Sequence, residues 1–247
     1  MKVKYLFFFL SCIQLPAFAN PGDDIWDHIG LLKNGFATVN LELQALKRMT
    51  SQLQVQLEAQ NNVIKSNQAK KYSIGEEYRG GLVFYVDETG QHGLIVSKID
   101  VNQESIEWRN GASGNKVTNA RGDGVGAGET NTRVIISQQT IDNQRGTFAA
   151  LQAANFQVLA DGVTPCKTPI LSNMVCYGGW YLPSAYELQL LHKNLYLQNA
   201  SYFAPDFYWS STERSVSEAW LMQFATGELS TSNKSNTIGR VRAVARF

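Results

Sequence analysis

The sequence predicts an α+β head with a mainly antiparallel sheet and two helices, preceded by a long α-helical coiled-coil stalk. Three observations lead to this prediction. A heptad repeat runs over residues 25–64, the composition changes after Lys71, and strand, helix and strand patterns then follow in that order. We therefore expect a signal peptide at 1–19, an oligomerisation stalk at 20–74 and a ligand-binding head at 75–247.

The N-terminus has the pattern of a removable secretory signal. Lys2 and Lys4 precede an apolar run over 6–15, and an Ala-Phe-Ala cleavage pattern follows at 17–19. The run is shorter than the roughly 20 residues that span a bilayer. We expect an exported protein in the periplasm, at the cell surface or secreted, with no transmembrane segment after signal removal. A lipoprotein anchored through Cys12 is the alternative.

Two cysteines remain once the signal is removed, Cys166 and Cys176. An even pair in an exported chain is most simply a disulfide, because oxidising compartments favour the bond. Two free thiols are the alternative.

The stalk is predicted from apolar residues whose spacing alternates between four and three. The a positions are Ile29, Phe36, Leu43, Thr50, Leu57 and Ile64, and the d positions are Ile25, Leu32, Val39, Leu46, Leu53 and Gln60. A 3.5-residue period sustained this long indicates a left-handed coiled coil.

A long helix with one narrow apolar stripe cannot bury that stripe alone, so we expect a homo-oligomer through residues 25–64. β-branched and γ-branched residues mix at the core positions, and Phe36 is bulky, so the rule for parallel dimers is not met. We expect a trimer, with a dimer as the alternative. A single helix packing back on its own head is a further alternative.

The head begins with a predicted hairpin, in which strands 82–86 and 93–97 flank a turn. A long Gly/Asn/Asp-rich loop follows at 110–131. The remaining predicted elements are helices at 147–155 and 185–197 and strands at 207–211, 219–224 and 241–247.

Six motifs in the head occur in a specific order. They are Gly80-Gly81-Leu82-Val83-Phe84-Tyr85-Val86, Gly128-Glu129-Thr130-Asn131-Thr132, Trp180-Tyr181-Leu182-Pro183-Ser184 with Glu187-Leu188, Tyr208-Trp209-Ser210-Ser211-Thr212-Glu213, Ala219-Trp220, and Arg240-Val241-Arg242-Ala243-Val244. In this order they resemble the C-terminal domain of the Legionella collagen-like adhesin family and, more broadly, C-type-lectin-like domains.

That resemblance implies a trimeric head that binds glycans, sulfated glycosaminoglycans among them, on host or extracellular surfaces. The chain departs from the family because it lacks a Gly-x-y collagen tract and has the predicted coiled coil in that place. The alternative is a structural or interaction protein of the cell envelope that binds another protein or the cell wall.

Candidate ligand-binding residues come mainly from the acid-free C-terminal stretch. We expect Lys234, Arg240, Arg242 and Arg246 to form a cationic patch suited to sulfate or carboxylate, with the three arginines on one face of a strand. An ordinary solvated strand with local salt bridges is the alternative. Trp108, next to a loop, is a further candidate ligand contact, and a position in the core is its alternative. The head carries slightly more acids than bases, so polyanion binding needs a focused patch.

Other function classes find little support in the sequence. The net charge of +1 argues against a nucleic-acid partner. No catalytic motif or cofactor motif is present, and we expect neither an enzyme nor a bound cofactor. The loop residues Asp123, Glu129 and Asn131 do not have the spacing of an EF-hand, so we predict no metal site. Arg121-Gly122-Asp123 is an RGD tripeptide, which is a weak signal for integrin binding.

Overall fold

The computed structural model describes residues 24–66, 70–102, 104–170 and 174–247, so the predicted signal peptide lies outside the described residues. The chain divides into two compact units, Met1–Gln68 and Ala69–Phe247. Within the described ranges, no helix is both long and apolar enough to cross a membrane.

The described part of the first unit is a single helix, α1, which spans Asp24–Ser66. Its 43 residues extend over about 65 Å. The predicted core residues Leu32, Val39, Leu46 and Leu53 are 60–63% exposed in the single chain. The long helix is thus confirmed, whereas its assembly into a coiled coil stays a prediction.

The second unit is a mixed α+β domain, as predicted. Its strands are β1 (Glu77–Tyr78), β2 (Gly81–Val86), β3 (Gly93–Ser97), β4 (Phe207–Glu213), β5 (Glu218–Gln223), β6 (Glu228–Asn233), β7 (Gly239–Arg240) and β8 (Val244–Arg246). Its α-helices are α2 (Ala127–Gln139), α3 (Ala149–Asn155) and α4 (Ala185–Leu191), with short 3-10 helices at Ala112–Gly114 and Ala200–Tyr202 and a π-helix at His192–Tyr196.

These strands form two four-stranded sheets, in the orders β1-β2-β3-β8 and β6-β5-β4-β7. The first sheet is antiparallel throughout and contains the predicted hairpin, in which Leu82 pairs with Val96. The second sheet is antiparallel except where β7 runs parallel to β4. The predicted single sheet is therefore corrected to two.

Three further predictions about the head need correction. Two helices were expected, but the described head has three α-helices because α2 begins inside the predicted loop 110–131. Strand β6 was not predicted, since its Ser- and Thr-rich sequence has no apolar alternation. Of the predicted strand 241–247, only Val244–Arg246 forms a strand (β8), and the separate two-residue strand β7 lies before it at Gly239–Arg240.

The hairpin of β2 and β3 lies between two hydrophobic clusters, because alternate residues of a strand point to opposite faces. Val83 and Ile95 belong to a cluster that contains Ile135 of α2 and the alanines of α3. Leu82 and Val96 belong to a second cluster that also contains Leu188 and Leu191 of α4, together with Phe84, Leu94, Tyr208 and Phe224. Both faces of the hairpin are thus buried, which explains its unbroken apolar sequence.

The Gly-rich loop before α2 is held by buried side chains. Asn131 donates to the carbonyl oxygen of Gly122 at 2.6 Å and accepts from its amide at 3.0 Å. Glu187 accepts from the Gly126 amide at 2.8 Å while also closing a capping box with Ser184 at the start of α4. Burial raises the pKa of the Glu187 carboxyl group. The composition predicted a loop, but these contacts fix its path and start the helix.

Candidate functional site

Two of the five predicted ligand contacts, Lys234 and Trp108, lie in the interior of the head. The Lys234 Nζ is 2.6 Å from Glu213 Oε1, 3.1 Å from the carbonyl oxygens of Lys116 and Val216, and 4.6 Å from the centroid of the Trp108 ring. Burial lowers the pKa of the Lys234 amine, and the Glu213 carboxylate opposes that shift. The prediction that Lys234 and Trp108 contact a surface ligand is therefore wrong.

Arg242 is also unavailable at the surface, since its side chain is 2% exposed. Its guanidinium lies 2.9 Å from Asp100, donates to the Ser97 carbonyl oxygen at 3.0 Å, and sits 4.4 Å from the centroid of the Phe203 ring. These partners come from segments far away in the sequence. The predicted patch of three arginines on one face does not form, because Arg242 is part of the core.

Arg240, by contrast, lines a large cleft on the head. The cleft has a volume of about 690 Å³. It is lined by Ile99, Asp100, Val101, Gln152, Asn155, Phe156, Gln157, Val158, Val163, Pro165, Cys166 and Arg240. We take this cleft, called the Arg240 cleft below, as the candidate functional site.

Side-chain amides give the Arg240 cleft its chemical character. Gln152 lies on α3, Asn155 ends that helix, and Gln157 follows two residues later. Within the described residues, the side chains of Gln152 and Asn155 make no hydrogen bond, so their donors and acceptors are available to a ligand. Phe156 adds a half-buried ring that packs edge-to-face on Trp180 at 5.5 Å.

The charges in the Arg240 cleft are balanced. The Arg240 Nε donates to Asp206 at 2.7 Å, and its Nη1 lies 3.4 Å from Asp100. The hydrogen bond that Arg240 donates to Asp206 raises the pKa of Arg240. Asp100 also accepts from the Tyr208 hydroxyl at 3.0 Å, and burial raises the pKa of Tyr208 to about 12. A cleft with one cation held by two carboxylates suits a polar, uncharged ligand better than a polyanion.

One wall of the Arg240 cleft depends on the disulfide, which is present as predicted between Cys166 and Cys176. The bridge joins two segments that flank Val158, which pairs with both Pro165 and Tyr177. A disulfide is typical of an oxidising compartment, in agreement with the predicted export. The sequence therefore predicted the disulfide, but no pattern in it indicated that Cys166 borders a cleft.

The same wall contains a turn that is closed by Asp161. Its Oδ1 accepts from the amides of Val163 and Thr164 at 3.0 and 2.9 Å, and its Oδ2 accepts from the Thr164 hydroxyl at 2.5 Å. The Thr164 hydroxyl first, and then the two amides, lower the pKa of Asp161 to about 2. The ionised carboxylate therefore holds Val163 in place at the cleft.

We expect this turn to loosen in acid. Because the pKa of Asp161 in the folded protein lies below its ordinary value of 3.8, the stabilisation is complete above that value and is lost as the pH falls through about 2. Amide hydrogen exchange at Val163 and Thr164 should accelerate over this interval, beyond the intrinsic pH dependence. Asp161→Asn should show fast exchange at neutral pH and no added acid dependence. Asp142→Asn, outside the turn, should behave as the wild type; equal behaviour of both variants would contradict the expectation.

Sequence reasoning found Arg240 but missed Asp100, Gln152, Asn155 and Gln157. The cleft joins four segments, around residues 100, 155, 165 and 240, and no local motif connects them. Arg246 lies elsewhere, 61% exposed and 3.7 Å from Glu129. The predicted loop oxygens of Asp123 and Asn131 accept from backbone amides, and no metal-binding group of three ligands occurs among the described residues.

Comparison with known proteins adds no relative on which function could be based. No protein-family model matches the chain, and the search of curated proteins gives no match. The resemblance of the six ordered motifs therefore remains an expectation drawn from the residues themselves.

Proposed function

We propose that the protein is an exported, oligomeric adhesin-type protein whose head binds a glycan in the Arg240 cleft. The observation that carries this proposal is the lining of the cleft. Amides at Gln152, Asn155 and Gln157 can donate to and accept from sugar hydroxyl groups, and Phe156 offers an aromatic ring for an apolar sugar face. Few convergent polar groups in a large cleft are typical of a small-molecule site.

Two further features support the proposal. The six motifs of the head resemble a glycan-binding adhesin domain with a C-type-lectin-like fold. The exposed apolar stripe of α1 is suited to join several copies, so that weak binding by single heads adds up to strong attachment. The balanced charge of Arg240 favours a neutral sugar in this cleft, whereas a sulfated glycan would need a cationic site elsewhere on the head.

The proposal is tested with a glycan array on the full mature chain, followed by titration of the strongest ligand. Asn155→Ala combined with Gln157→Ala should weaken binding about tenfold or more, because two hydrogen bonds are lost. Both side chains are exposed, so the fold should persist. Gln189→Ala, an exposed amide on α4 that does not line the cleft, is the matched control. Equal affinity of the double variant and the control would exclude the cleft as the glycan site.

A second candidate function rests on an apolar surface beside the disulfide. Val163, Ile170, Met174 and Val175 are 44–59% exposed. A groove of about 270 Å³ runs between Leu159, Thr164, Pro165, Lys167, Pro169, Ile170 and Met174. Such a surface favours a protein partner in the cell envelope. An empty glycan array together with pull-down of one specific envelope protein, lost on Ile170→Ser, would favour this alternative.

A further inference from the structure

A second pocket on the head has a positive lining and shares no lining residue with the Arg240 cleft. Its volume is about 400 Å³. It is lined by Arg79, Ile95, Cys176, Tyr177, Gly178, Gly179, Trp180, Ala245 and Arg246. The lining contains two arginines and no acidic residue, in contrast to the balanced charges around Arg240.

Neither arginine is committed to a strong internal partner. Within the described residues, the Arg79 guanidinium makes no hydrogen bond or ion pair, and its only close contact of these kinds is with the ring of Tyr78, 5.2 Å from the centroid. Arg246 is 61% exposed. Its ion pair with Glu129 is long, at 3.7 Å, and the Glu129 carboxylate also pairs with Arg133. Both guanidinium groups can therefore donate to a ligand.

The backbone of the pocket adds further donors. Among the described residues, the amides of Gly178, Gly179 and Trp180 have no hydrogen-bond acceptor, although the flanking Tyr177 and Tyr181 amides are paired. Three consecutive unpaired amides beside two guanidinium groups are a combination that suits a planar or tetrahedral anion. Trp180, which lines the pocket, is 3% exposed, and its indole nitrogen donates to the Tyr177 carbonyl oxygen at 3.0 Å, so its side chain is held in place.

We infer that the pocket between Arg79 and Arg246 binds the sulfate or carboxylate group of an anionic glycan. Guanidinium groups can donate two parallel hydrogen bonds to either group, and the consecutive amides of Gly178 to Trp180 can take up the remaining oxygen atoms. This site is independent of the Arg240 cleft, so it can be present whether or not that cleft binds a neutral sugar. The head would thus have a site for charged ligands even though the predicted C-terminal patch does not form.

The local backbone offers a substitution that removes charge without disturbing the fold. Arg79 and Gly80 form the two-residue connection of β1 and β2, with φ values of +46° and +76°. Such turns favour Asn at their first position, because Asn tolerates positive φ. Arg79→Asn should therefore keep or improve stability. Arg246→Gln removes the other charge from an exposed side chain, and Arg145→Asn removes an exposed arginine outside the pocket as a matched control.

The test is calorimetric titration of the full mature chain with short glycans that cannot bridge two heads. The probes are a heparin-derived tetrasaccharide, which carries sulfates and carboxylates, a hyaluronan tetrasaccharide, which carries carboxylates only, and tetra-N-acetylchitotetraose, which is neutral. We expect the heparin-derived probe to bind, with or without the hyaluronan probe, more weakly as salt rises. Arg79→Asn and Arg246→Gln should each reduce affinity about tenfold or more, and Arg145→Asn should not.

A titration with inorganic sulfate at matched ionic strength shows whether the pocket recognises the anionic group alone or needs the attached sugar as well. Stabilisation by millimolar sulfate that Arg79→Asn abolishes would show that the pocket recognises the anionic group itself, and glycan binding without it would show that the sugar contributes as well. Either result supports the site. Binding of the heparin-derived probe that neither pocket variant changes, or the absence of binding by both charged probes, would overturn the inference. The cleft variant Asn155→Ala alone, which keeps the Gln157 side chain beside Cys176 of the pocket lining, should leave these titrations unchanged, so failure of one site is distinguishable from failure of the other.

Discussion

Lys234→Met is expected to lower the free energy of unfolding of the head by about 3–5 kcal/mol, the usual cost of removing one partner from a buried ion pair. Methionine fills a similar volume, so the loss should come from electrostatics rather than from a cavity. Glu213 would remain fully buried without its cation, which now lies 2.6 Å away. The carbonyl oxygens of Lys116 and Val216 would also lose a donor. For a domain of this size, the melting temperature should fall by roughly 6–20 °C.

The same substitution at Lys116 is the control for this prediction. Lys116 pairs with Asp142, whose side chain is 55% exposed, so Lys116→Met removes an equal charge from a solvated pair. That change should cost no more than about 1 kcal/mol. Thermal unfolding of both variants followed by circular dichroism gives the comparison. Similar melting temperatures for the two variants would contradict the structural role assigned to Lys234.

Features that depend on neighbouring residues were predicted from the sequence, whereas features that depend on contacts between distant segments were not. The helix α1 and the hairpin of β2 and β3 were predicted because periodicity and turn composition are local properties. The disulfide was predicted because only two cysteines would remain once the predicted signal peptide is removed. In contrast, α2 begins in a Gly- and Asn-rich sequence, and its start depends on Glu187 and other residues far along the chain.

The failure of the predicted cationic patch has the same physical origin. The C-terminal stretch contains no acidic residue, which made its cations look unpaired. Lys234 and Arg242 find their carboxylates on Glu213 and Asp100, which come from β4 and from the segment after β3. Local composition cannot show such pairing. Only Arg240, half-buried at a cleft, and Arg246, at the second pocket, remain accessible to a ligand.

Leu46→Asn combined with Leu53→Asn is expected to convert the predicted oligomer into monomers at micromolar concentration. Both leucines occupy predicted d positions of α1 and are 62–63% exposed in the single chain. Burial of a leucine contributes roughly 1.5–3 kcal/mol, so a trimer would lose roughly 9–18 kcal/mol over six side chains. Sedimentation equilibrium of the full mature chain measures the change. The multivalent attachment proposed for the heads should weaken with it, while the affinity of a single head stays the same.

The chain supplies a control that separates the predicted seam from mere apolar exposure. Leu41 and Val55 are 66–68% exposed, as much as the two core leucines, but they fall at the f positions, opposite the a and d stripe. Leu41→Asn with Val55→Asn should therefore leave the oligomer intact, because f side chains point away from the partner helices in a coiled coil. Dissociation by both double variants would mean that the helices associate without the heptad register. A wild-type chain that sediments as a monomer would remove the basis for avidity altogether.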